Sequence, residues 1–290
     1  MAEKLIGIIG GTGLGDELAG KIKNAKKMRI ETPFGKPSDD IIVGRFGKRM
    51  VAFLNRHGRG HKFSPSAVPF AANIFAMKKI GVQTIISTGA VGSLSQNIHP
   101  GELVAVDQFI DKTFKRKTSF FDNFGAVHCE MREPVCRRTR NLIMEASSKI
   151  DIKVHPKGTY ICMEGPQFST NAESLMHKGW GGDLIGMTAM PEAKLAREAQ
   201  ICYTLIALVC DYDCWRERTC DDKMTLLQEI ISNMRTATEN CMELVKAALE
   251  NGGQMISKQC ACRKSLELAV WTKEEQINKK IKRKISVLFE

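Results

Sequence analysis

Short apolar runs recur along the chain, and each ends in Gly, Ser, Thr or Asp. Runs of this length, bounded by small and turn-forming residues, predict buried β-strands. We predict strands at residues 5–9, 41–43, 49–54, 84–86, 103–106, 160–163, 183–187 and 201–209. Because the runs are apolar on both strand faces, they favour a sheet that is covered on both sides.

Helical periodicity separates several of these strands. Apolar residues at three- and four-residue spacing predict helices at residues 68–80, 139–150, 191–200 and 225–250. Pro191 followed by Glu192 favours a helix start, because proline needs no donor there and an acid suits the helix dipole. Strands that alternate with helices predict an α/β protein, whose twisted, mixed and largely parallel sheet is flanked by helices.

No linker rich in Pro, Gly or Ser and no internal repeat divides the 290 residues, so we predict a single domain over residues 1–290. Its last part, about residues 251–290, is expected to contain a C-terminal helix and a basic tail. The net charge of +11 admits an anionic partner, but the basic residues are mostly scattered outside residues 279–284. We interpret that run as a solvated helix face or tail, and we expect no nucleic-acid partner.

Membrane and metal partners are not expected either. No apolar segment approaches the length that spans a bilayer.

His57 and His61 have the spacing of a zinc pair, but the glycines between them disfavour a helix. The ten cysteines form no CxxC, and the simplest interpretation is reduced thiols in the cytosol. Cys260 and Cys262 form a CxC, which is open to a disulfide or a metal ion but is a weak signal.

A glycine-rich turn follows the first strand, in IIGGTGLG at residues 8–15. Glycine lets the backbone approach a ligand and adopt positive φ angles. Successive amides in such a turn form a concave anion site, to which Thr12 adds a hydroxyl. The stretch lacks the GxGxxG and GK[ST] spacings of nucleotide-binding folds. An anion site and a simple tight turn therefore both remain open.

Residues that follow the other strands also suit a ligand, because such sheets bind ligands at the carboxyl ends of their strands. NRHGRGHKFSP supplies Arg56, whose guanidinium suits bidentate recognition of an oxyanion, although an exposed basic loop is equally consistent. STGAVGS mixes small residues with hydroxyls, and MEGPQFST supplies Glu164 and Phe168. GMTAMPE places Thr188 before a predicted helix, so that its hydroxyl and nearby amides face an anion at the helix N-terminus.

A pair of carboxylates ends the last buried strand, in VCDYDCW at residues 209–215. Asp211 and Asp213 fit either a solvated turn or a site for a ligand with amino groups. Phe168 and Met187 suit a planar ring or an apolar group. The side chains that suit a phosphate are Thr12, Arg56, Thr88 and Thr188.

Together these stretches resemble the trimeric purine nucleoside phosphorylase family, and within it the branch of 5′-methylthioadenosine phosphorylases. The matching stretches are GIIGGTGL, TPFGKPSD, RHGRGH, EGPQFS, AESLM, MTAMPE with LAREAQICY, and DYDCW. The match covers residues 5–222 and resumes at ISVLFE, whereas residues 251–280 match poorly. The resemblance implies phosphorolysis of 5′-methylthioadenosine to adenine and 5-methylthioribose 1-phosphate, in methionine and adenine salvage. Inorganic phosphate is the co-substrate, and no cofactor is implied.

The resemblance also implies roles for individual side chains. The groups expected to hold phosphate are Thr12, Arg56, His57, Thr188 and the backbone near Ala90. Phe168 is expected to pack against the base or sugar, and Met187 to lie under the ribose. Asp211 and Asp213 face the purine as the catalytic pair. A carboxylate there accepts a hydrogen bond from the 6-amino group and helps N7 gain its proton. Because relatives that use 6-oxopurines carry Asn there, Asp favours adenine.

The 5′ pocket of the family is closed by a histidine of the neighbouring subunit and an apolar residue near the C-terminus. His128 and Leu288 occupy the matching positions. An apolar leucine suits a methylthio group, whose burial contributes about 1–2 kcal/mol. The resemblance thus implies a homotrimer with shared active sites. It also implies a cytoplasmic protein, with the nucleus as a second location.

Two departures from the family pattern affect the expected substrate range. Gly89 stands where close members carry a second, phosphate-contacting Thr, and Cys210 replaces a Thr before the DYD motif. They predict weaker phosphate binding and looser base contacts, and they leave open a broader purine nucleoside phosphorylase acting on adenosine or inosine. A nucleosidase that uses water is disfavoured by Arg56 and the hydroxyls. A binding protein without catalysis is the alternative from a different class.

Overall fold

The computed structural model describes residues 5–11, 13–217, 222–250, 254–257 and 259–290. Its strands are β1 (Leu5–Gly10), β2 (Lys23–Met28), β3 (Ile41–Phe46), β4 (Arg49–Asn55), β5 (Val82–Ser93), β6 (Leu103–Ala105), β7 (Gln108–Asp111), β8 (Val154–His155), β9 (Thr159–Cys162), β10 (Leu184–Gly186) and β11 (Cys202–Asp211). Its α-helices are α1 (Gly15–Lys21), α2 (Phe70–Lys79), α3 (Arg137–Ser147), α4 (Asn171–Gly179), α5 (Glu192–Glu198), α6 (Lys223–Glu250) and α7 (Lys279–Lys284).

One sheet organises this part of the chain, and it contains eleven strands. The long strand β5 lies at its centre, where it pairs in parallel with β1 and β11 and antiparallel with β10. The β1–β4, β6–β8, β7–β9 and β9–β10 pairs are also parallel, whereas β2–β3, β3–β4 and β6–β11 are antiparallel. The predicted single α/β domain with a mixed, largely parallel sheet is confirmed.

Apolar side chains cover both faces of the sheet. On β1, Ile9 packs in the same buried cluster as Ile74 of α2 and Leu195 of α5. The next side chain along, Ile8, points to the opposite face and packs in a second cluster with Leu244 of α6 and Ile143 of α3. Alternate side chains of a strand point to opposite faces, so a run that is apolar throughout requires helices on both sides.

All eight predicted strands and all four predicted helices are present, with ends that differ by a few residues. The sequence patterns missed three short strands and two helices. β2 has the sequence KNAKKM and is exposed along its whole length, as an edge strand at one end of the strand order. Because lysines occupy this strand, its sequence lacks the apolar alternation that indicates a strand. The same lysines protect the sheet edge from pairing with another chain. The predicted C-terminal helix is the six-residue α7, which is followed by a 3₁₀ turn.

A bulge at the end of β11 controls the direction of the carboxylate pair. The pairing of β11 with β5 runs in register as far as Val209 and then shifts, so that Asp211 pairs with Gly92 and Cys210 is the extra residue. Such a bulge bends a strand and turns the following side chain towards a new direction. Among the helices described, none is long and apolar enough to cross a membrane.

Candidate active site

A cleft of about 370 Å³ lies where β5, β10 and β11 end. This volume falls within the range of about 300–1,000 Å³ that is typical of small-molecule sites. The predicted residues that line it are Arg56, His57, Ala90, Phe168, Met187, Thr188, Asp211 and Asp213. The structure therefore brings eight predicted positions, from five separate stretches of sequence, to one place. Thr12 lies outside the described residues.

The glycine-rich turn borders a second cavity of about 250 Å³, which shares Gly11, His57 and His61 with the cleft. Gly13 has a φ of 92°, a conformation that favours glycine. A Cβ atom on Gly11 would lie 2.7 Å from Nη1 of Arg56. Glycine at this position thus lets the turn lie directly against the guanidinium group.

Arg56 is fully buried and held in a fork by the carboxylate of Glu192. Its Nε lies 2.8 Å from Oε2 and its Nη2 lies 3.0 Å from Oε1 of that carboxylate. Nη2 also donates to Oγ of Ser87 at 2.6 Å, and Nη1 donates to the Thr88 carbonyl at 2.7 Å. Burial alone would lower the pKa of Arg56, but the charge of Glu192 raises it, and the group stays a cation.

This arrangement changes the role expected of Arg56. An arginine has five N–H donors, and within the described residues four of them already meet acceptors. Glu192 occupies the fork formed by Nε and Nη2 of Arg56. The prediction that this fork binds an oxyanion in a bidentate manner is therefore wrong. The remaining donor is on Nη1, which faces Gly11. Arg56 can therefore offer a ligand one hydrogen bond.

Glu192 is a site residue that sequence reasoning missed. Its position after Pro191 predicts only the first turn of a helix, and Glu192 does lie there, in α5. Its Oε1 also accepts hydrogen bonds from Ser87 at 2.5 Å and from Tyr203 at 2.9 Å. The carboxylate thus ties β5, β11 and the loop after β4 together beneath the cleft. No sequence spacing could indicate this, because Glu192 and Arg56 are 136 residues apart.

His57 is neutral around pH 7. Burial, followed by the nearby charge of Arg56, lowers its pKa from 6.5 to about 4. Its Nδ1 lies 2.8 Å from the carbonyl oxygen of Phe63, so a neutral ring carries its proton on Nδ1 and donates it there. Nε2 is then a hydrogen-bond acceptor. The ring stacks on His61 with a centroid separation of 4.2 Å, and both histidines line the cleft.

Asp211 and Asp213 lie together in the wall of the cleft, beside Gly92 of β5. The backbone N–H of Asp213 donates to Oδ1 of Asp211 at 3.0 Å. Oδ2 of Asp213 accepts a hydrogen bond from Ser174 of α4 at 2.5 Å. A Cβ atom on Gly92 would lie 2.8 Å from Oδ1 of Asp211, so the glycine makes room for this carboxylate. The pair is thus part of the cleft wall and not of a solvated turn.

Met187 is positioned by the buried ion pair of Arg116 and Glu164. Arg116 donates from Nη1 to the carbonyl of Met187 at 2.6 Å, and its Nε lies 3.1 Å from Oε1 of Glu164. The pKa of Glu164 falls to about 2, because the effect of burial is outweighed by hydrogen bonds from Ser66, the amides that follow β7 and Arg116. Glu164 therefore supports the cleft and does not line it.

Thr188 approaches Gly89 across the cleft. A Cβ atom on Gly89 would meet Oγ1 of Thr188 at 3.6 Å and no other heavy atom of the described chain within 4 Å. The backbone N–H of Thr188 donates to the hydroxyl of Tyr160 at 3.3 Å. The helix α5 begins four residues later, and the carboxylate of its first turn is that of Glu192.

Apolar side chains line much of the cleft. Phe168 is 83% exposed, so its ring projects into the opening and is not part of the core. Ile185 of β10 contributes from one wall. Ile230 and Met234 of α6 line another wall, and both belong to the apolar stripe whose spacing predicts this helix. Periodicity finds such a stripe but does not say whether protein or ligand covers it.

His128 and Leu288 do not line this cleft. His128 is exposed and packs edge-to-face against Trp271, whose side chain is 74% exposed. Leu288 is fully buried in the larger apolar cluster. The structure thus gives Leu288 a packing role, and its place in the wall of a 5′ pocket stays a prediction. A role for His128 across a subunit interface also stays a prediction.

The chain belongs to the phosphorylase superfamily, whose family model matches residues 5–250. Its relatives include the S-methyl-5′-thioadenosine phosphorylase of Hyperthermus butylicus, with 45% identity over 91% of this chain and 95% of that protein. The protein of the same name from Gloeobacter violaceus is 41% identical over 98% of this chain and 94% of its own length.

Solved structures give the same result. A methylthioadenosine phosphorylase from an Antarctic soil metagenomic library matches with a TM-score of 0.88 and 38% identity, over 100% of both chains. The Schistosoma mansoni methylthioadenosine phosphorylase in complex with adenine matches with a TM-score of 0.82 and 33% identity, over 93% of this chain and 99% of that one. The resemblance inferred from the sequence motifs is therefore confirmed, and the protein is a pentosyltransferase of the purine nucleoside phosphorylase type.

Proposed function

We propose that this protein converts 5′-methylthioadenosine and inorganic phosphate to adenine and 5-methylthioribose 1-phosphate, in methionine and adenine salvage. One observation carries the proposal. A single cleft contains a carboxylate pair, an arginine, a histidine, a threonine and apolar side chains. Along β5, Arg56 and Thr188 lie beside Thr88 and Gly89, whereas Asp211 lies beside Gly92. This separation of carboxylates from hydrogen-bond donors suits a substrate with an amino-purine at one end and a phosphate that attacks the other end.

The phosphate end supplies hydrogen bonds with little net positive charge. Glu192 neutralises Arg56, and His57 is neutral. Nη1 of Arg56 and the hydroxyl of Thr188 can donate to phosphate oxygens, and Nε2 of His57 can accept the O–H of hydrogen phosphate. Phosphate would then be oriented by matched donors and acceptors. Held against one face of the sugar, it can attack the anomeric carbon as the bond to the base breaks.

The base end stabilises the leaving adenine. Asp211 and Asp213 line the cleft where the purine would lie. A carboxylate there accepts a hydrogen bond from the 6-amino group, and it favours the protonated N7 that develops as the glycosidic bond breaks. An ionised carboxylate would repel the 6-oxo group of inosine. The ring of Phe168 offers a flat apolar surface to base or sugar, and Met187 lines the same cleft.

The assembly proposed is a homotrimer with shared active sites. His128 packs against the exposed Trp271, and its backbone N–H donates to the carbonyl of Ala269, next to Leu268, which is 90% exposed. Exposed apolar side chains therefore lie near the histidine. Surfaces of this kind are commonly covered by another protein surface. A neighbouring subunit docked there would bring His128 to the 5′ end of the partner's substrate.

We also propose a cytoplasmic location; the nuclear location and the expected lack of a nucleic-acid partner stay predictions.

The second candidate is a broader purine nucleoside phosphorylase that acts on adenosine or inosine. The space beside Gly89 favours it, because the absence of the second threonine removes one hydroxyl from the phosphate end and leaves open space beside Thr188. Comparable kcat/KM values on methylthioadenosine and adenosine would support this candidate. Both candidates use inorganic phosphate as co-substrate, and neither includes an organic cofactor.

Substitution of Asp211 tests the proposed choice of base. We expect Asp211→Asn to reduce kcat/KM for methylthioadenosine by about 100-fold, the effect of losing one preorganised hydrogen bond to a developing charge. The same change should raise activity on inosine relative to methylthioadenosine, because an amide can donate to a 6-oxo group. Asp122→Asn is the control, since that carboxylate is half exposed outside the cleft. Unchanged methylthioadenosine turnover in Asp211→Asn would refute the assignment.

A further inference from the structure

Four cysteines from distant parts of the sequence meet far from the cleft. Cys136 immediately precedes α3, Cys202 is the first residue of β11, and Cys260 and Cys262 flank Ala261 at a 3₁₀ turn. Their sulfur atoms all lie within 4.8 Å of one another. Asp211 is at the other end of the ten-residue strand β11, about 30 Å away at the usual rise per residue.

The distances suit four ligands around one ion. Zinc binds thiolates at about 2.3 Å in a tetrahedron, which places neighbouring sulfur atoms about 3.8 Å apart. The Sγ atoms of Cys136 and Cys260 are 3.7 Å apart. The sulfur atoms of a disulfide are about 2.05 Å apart, and all four cysteines have free thiols in this structure. The cluster thus has the size of a tetrathiolate site.

Two arginines are placed to balance the charge of such a site. Four thiolates around a divalent ion carry a net charge of about −2. Nη2 of Arg138 lies 3.8 Å from Sγ of Cys202, and Nη1 of Arg197 lies 3.8 Å from Sγ of Cys262. Hydrogen bonds from surrounding groups to the ligands are a regular feature of protein metal sites. Neither arginine takes part in the cleft.

The cluster is accessible from one side. A cavity of about 490 Å³ is lined by Cys136, Cys260 and Cys262, whereas Cys202 is fully buried at its base. An ion can therefore enter through the cavity and reach all four sulfur atoms. The same opening admits a chelator, which makes removal of the ion possible without unfolding the chain.

We propose that Cys136, Cys202, Cys260 and Cys262 bind one Zn²⁺ ion in a structural site. Four protein ligands in a tetrahedron leave no position for substrate, which is the pattern of structural zinc sites. The ion would join the CxC turn after α6 to the start of α3 and the first residue of β11. Because an ion bound only by the folded chain stabilises the fold, zinc would anchor the C-terminal region on the sheet. This site departs from the expectation of no metal.

Metal analysis tests the proposal directly. The protein is purified under reducing conditions without chelator and analysed by inductively coupled plasma mass spectrometry. We expect about one zinc ion per chain, and almost none in Cys260→Ser. Cys129→Ser is the matched control, because Cys129 is also a partly exposed free thiol but lies outside the cluster. It should retain the zinc of the wild-type chain.

A second measurement does not depend on variants. The ion of the wild-type protein is exchanged for Co²⁺, which gives thiolate charge-transfer bands and intense visible absorption in tetrahedral coordination. Removal of zinc by a chelator should also lower the thermal midpoint by several degrees. A zinc-free chain that takes up neither Zn²⁺ nor Co²⁺ would overturn the proposal. Disulfides among the four cysteines in the protein purified under reducing conditions, found by peptide mass mapping, would overturn it too.

Discussion

The buried pair of Arg56 and Glu192 allows a sharp test of how the cleft is built. The substitution Glu192→Gln keeps the shape of the side chain but removes its charge. Both side chains of the pair are completely inaccessible to solvent. Arg56 would then be a buried cation whose Nε and Nη2 face an amide, and one of them would meet an N–H₂ group instead of an acceptor.

The expected loss of stability is large. Removing one partner of a buried ion pair costs about 3–5 kcal/mol, because the other charge is left without compensation. Here the carboxylate also accepts hydrogen bonds from Ser87 and Tyr203, and Oε1 alone receives three donors. If the amide oxygen of Gln keeps those three, the lost interaction is the one at Oε2. We therefore expect a loss of about 3 kcal/mol, at the lower end of the range.

Equilibrium unfolding in urea measures this loss, with all proteins at the same concentration because association changes apparent stability. Glu239→Gln is the matched control. It removes the carboxylate of another arginine–glutamate pair, with Nε and Oε1 3.1 Å apart, but both side chains are exposed. Such pairs contribute about 0.3–0.5 kcal/mol. If Glu192→Gln costs no more than Glu239→Gln, Arg56 is not held as a buried cation, and the description of the phosphate end is wrong.

Two further predictions concern residues of the phosphate end. The pKa of His57 is about 4 in the folded protein and 6.5 in the unfolded chain. Above pH 6.5 the ring is neutral in both states, and protonation does not reduce the stability of the fold. Stability is lost as the pH falls from 6.5 towards 4, by about 2 kcal/mol once solvent reaching the ring through the cleft is allowed for. Urea unfolding at several pH values should show a weaker acid loss in His57→Gln, and identical pH dependence would contradict this. Gly89→Thr should lower the KM for phosphate about tenfold, because its Cβ meets only Thr188 at an ordinary distance and its hydroxyl can donate to an anion. Gly89→Val has the same shape without the hydroxyl, so an equal gain there would show that a hydrogen bond is not the cause.

Much of the fold could be predicted from local pattern. The predicted strand at residues 84–86 lies inside β5, and the predicted strand at residues 201–209 matches β11 from Cys202 onwards. The position of Asp211 and Asp213 at the end of a buried strand could also be predicted, because two carboxylates directly after such an apolar run are unusual. The edge strand β2 could not be predicted, since its lysines meet solvent and carry no alternation.

The interactions that support the cleft could not be predicted in the same way. Arg56 is held by a carboxylate that is distant in sequence, and only the packing of α5 on the sheet brings the two together. Met234 of α6 has the spacing of a core residue, yet it faces the cleft. The same limit applies to the cysteine cluster, because its sulfur atoms come from positions as far apart as Cys136 and Cys262. Sequence periodicity indicates which side chains are covered, but it does not indicate which groups cover them.

Identification of the sugar product tests the central claim most directly. The purified protein is incubated with 5′-methylthioadenosine and inorganic phosphate, and the mixture is followed by phosphorus NMR and mass spectrometry. We predict that free adenine and 5-methylthioribose 1-phosphate form in equal amounts, and that neither forms without phosphate. Free 5-methylthioribose, released whether or not phosphate is present, would show that water is the nucleophile and would contradict the account.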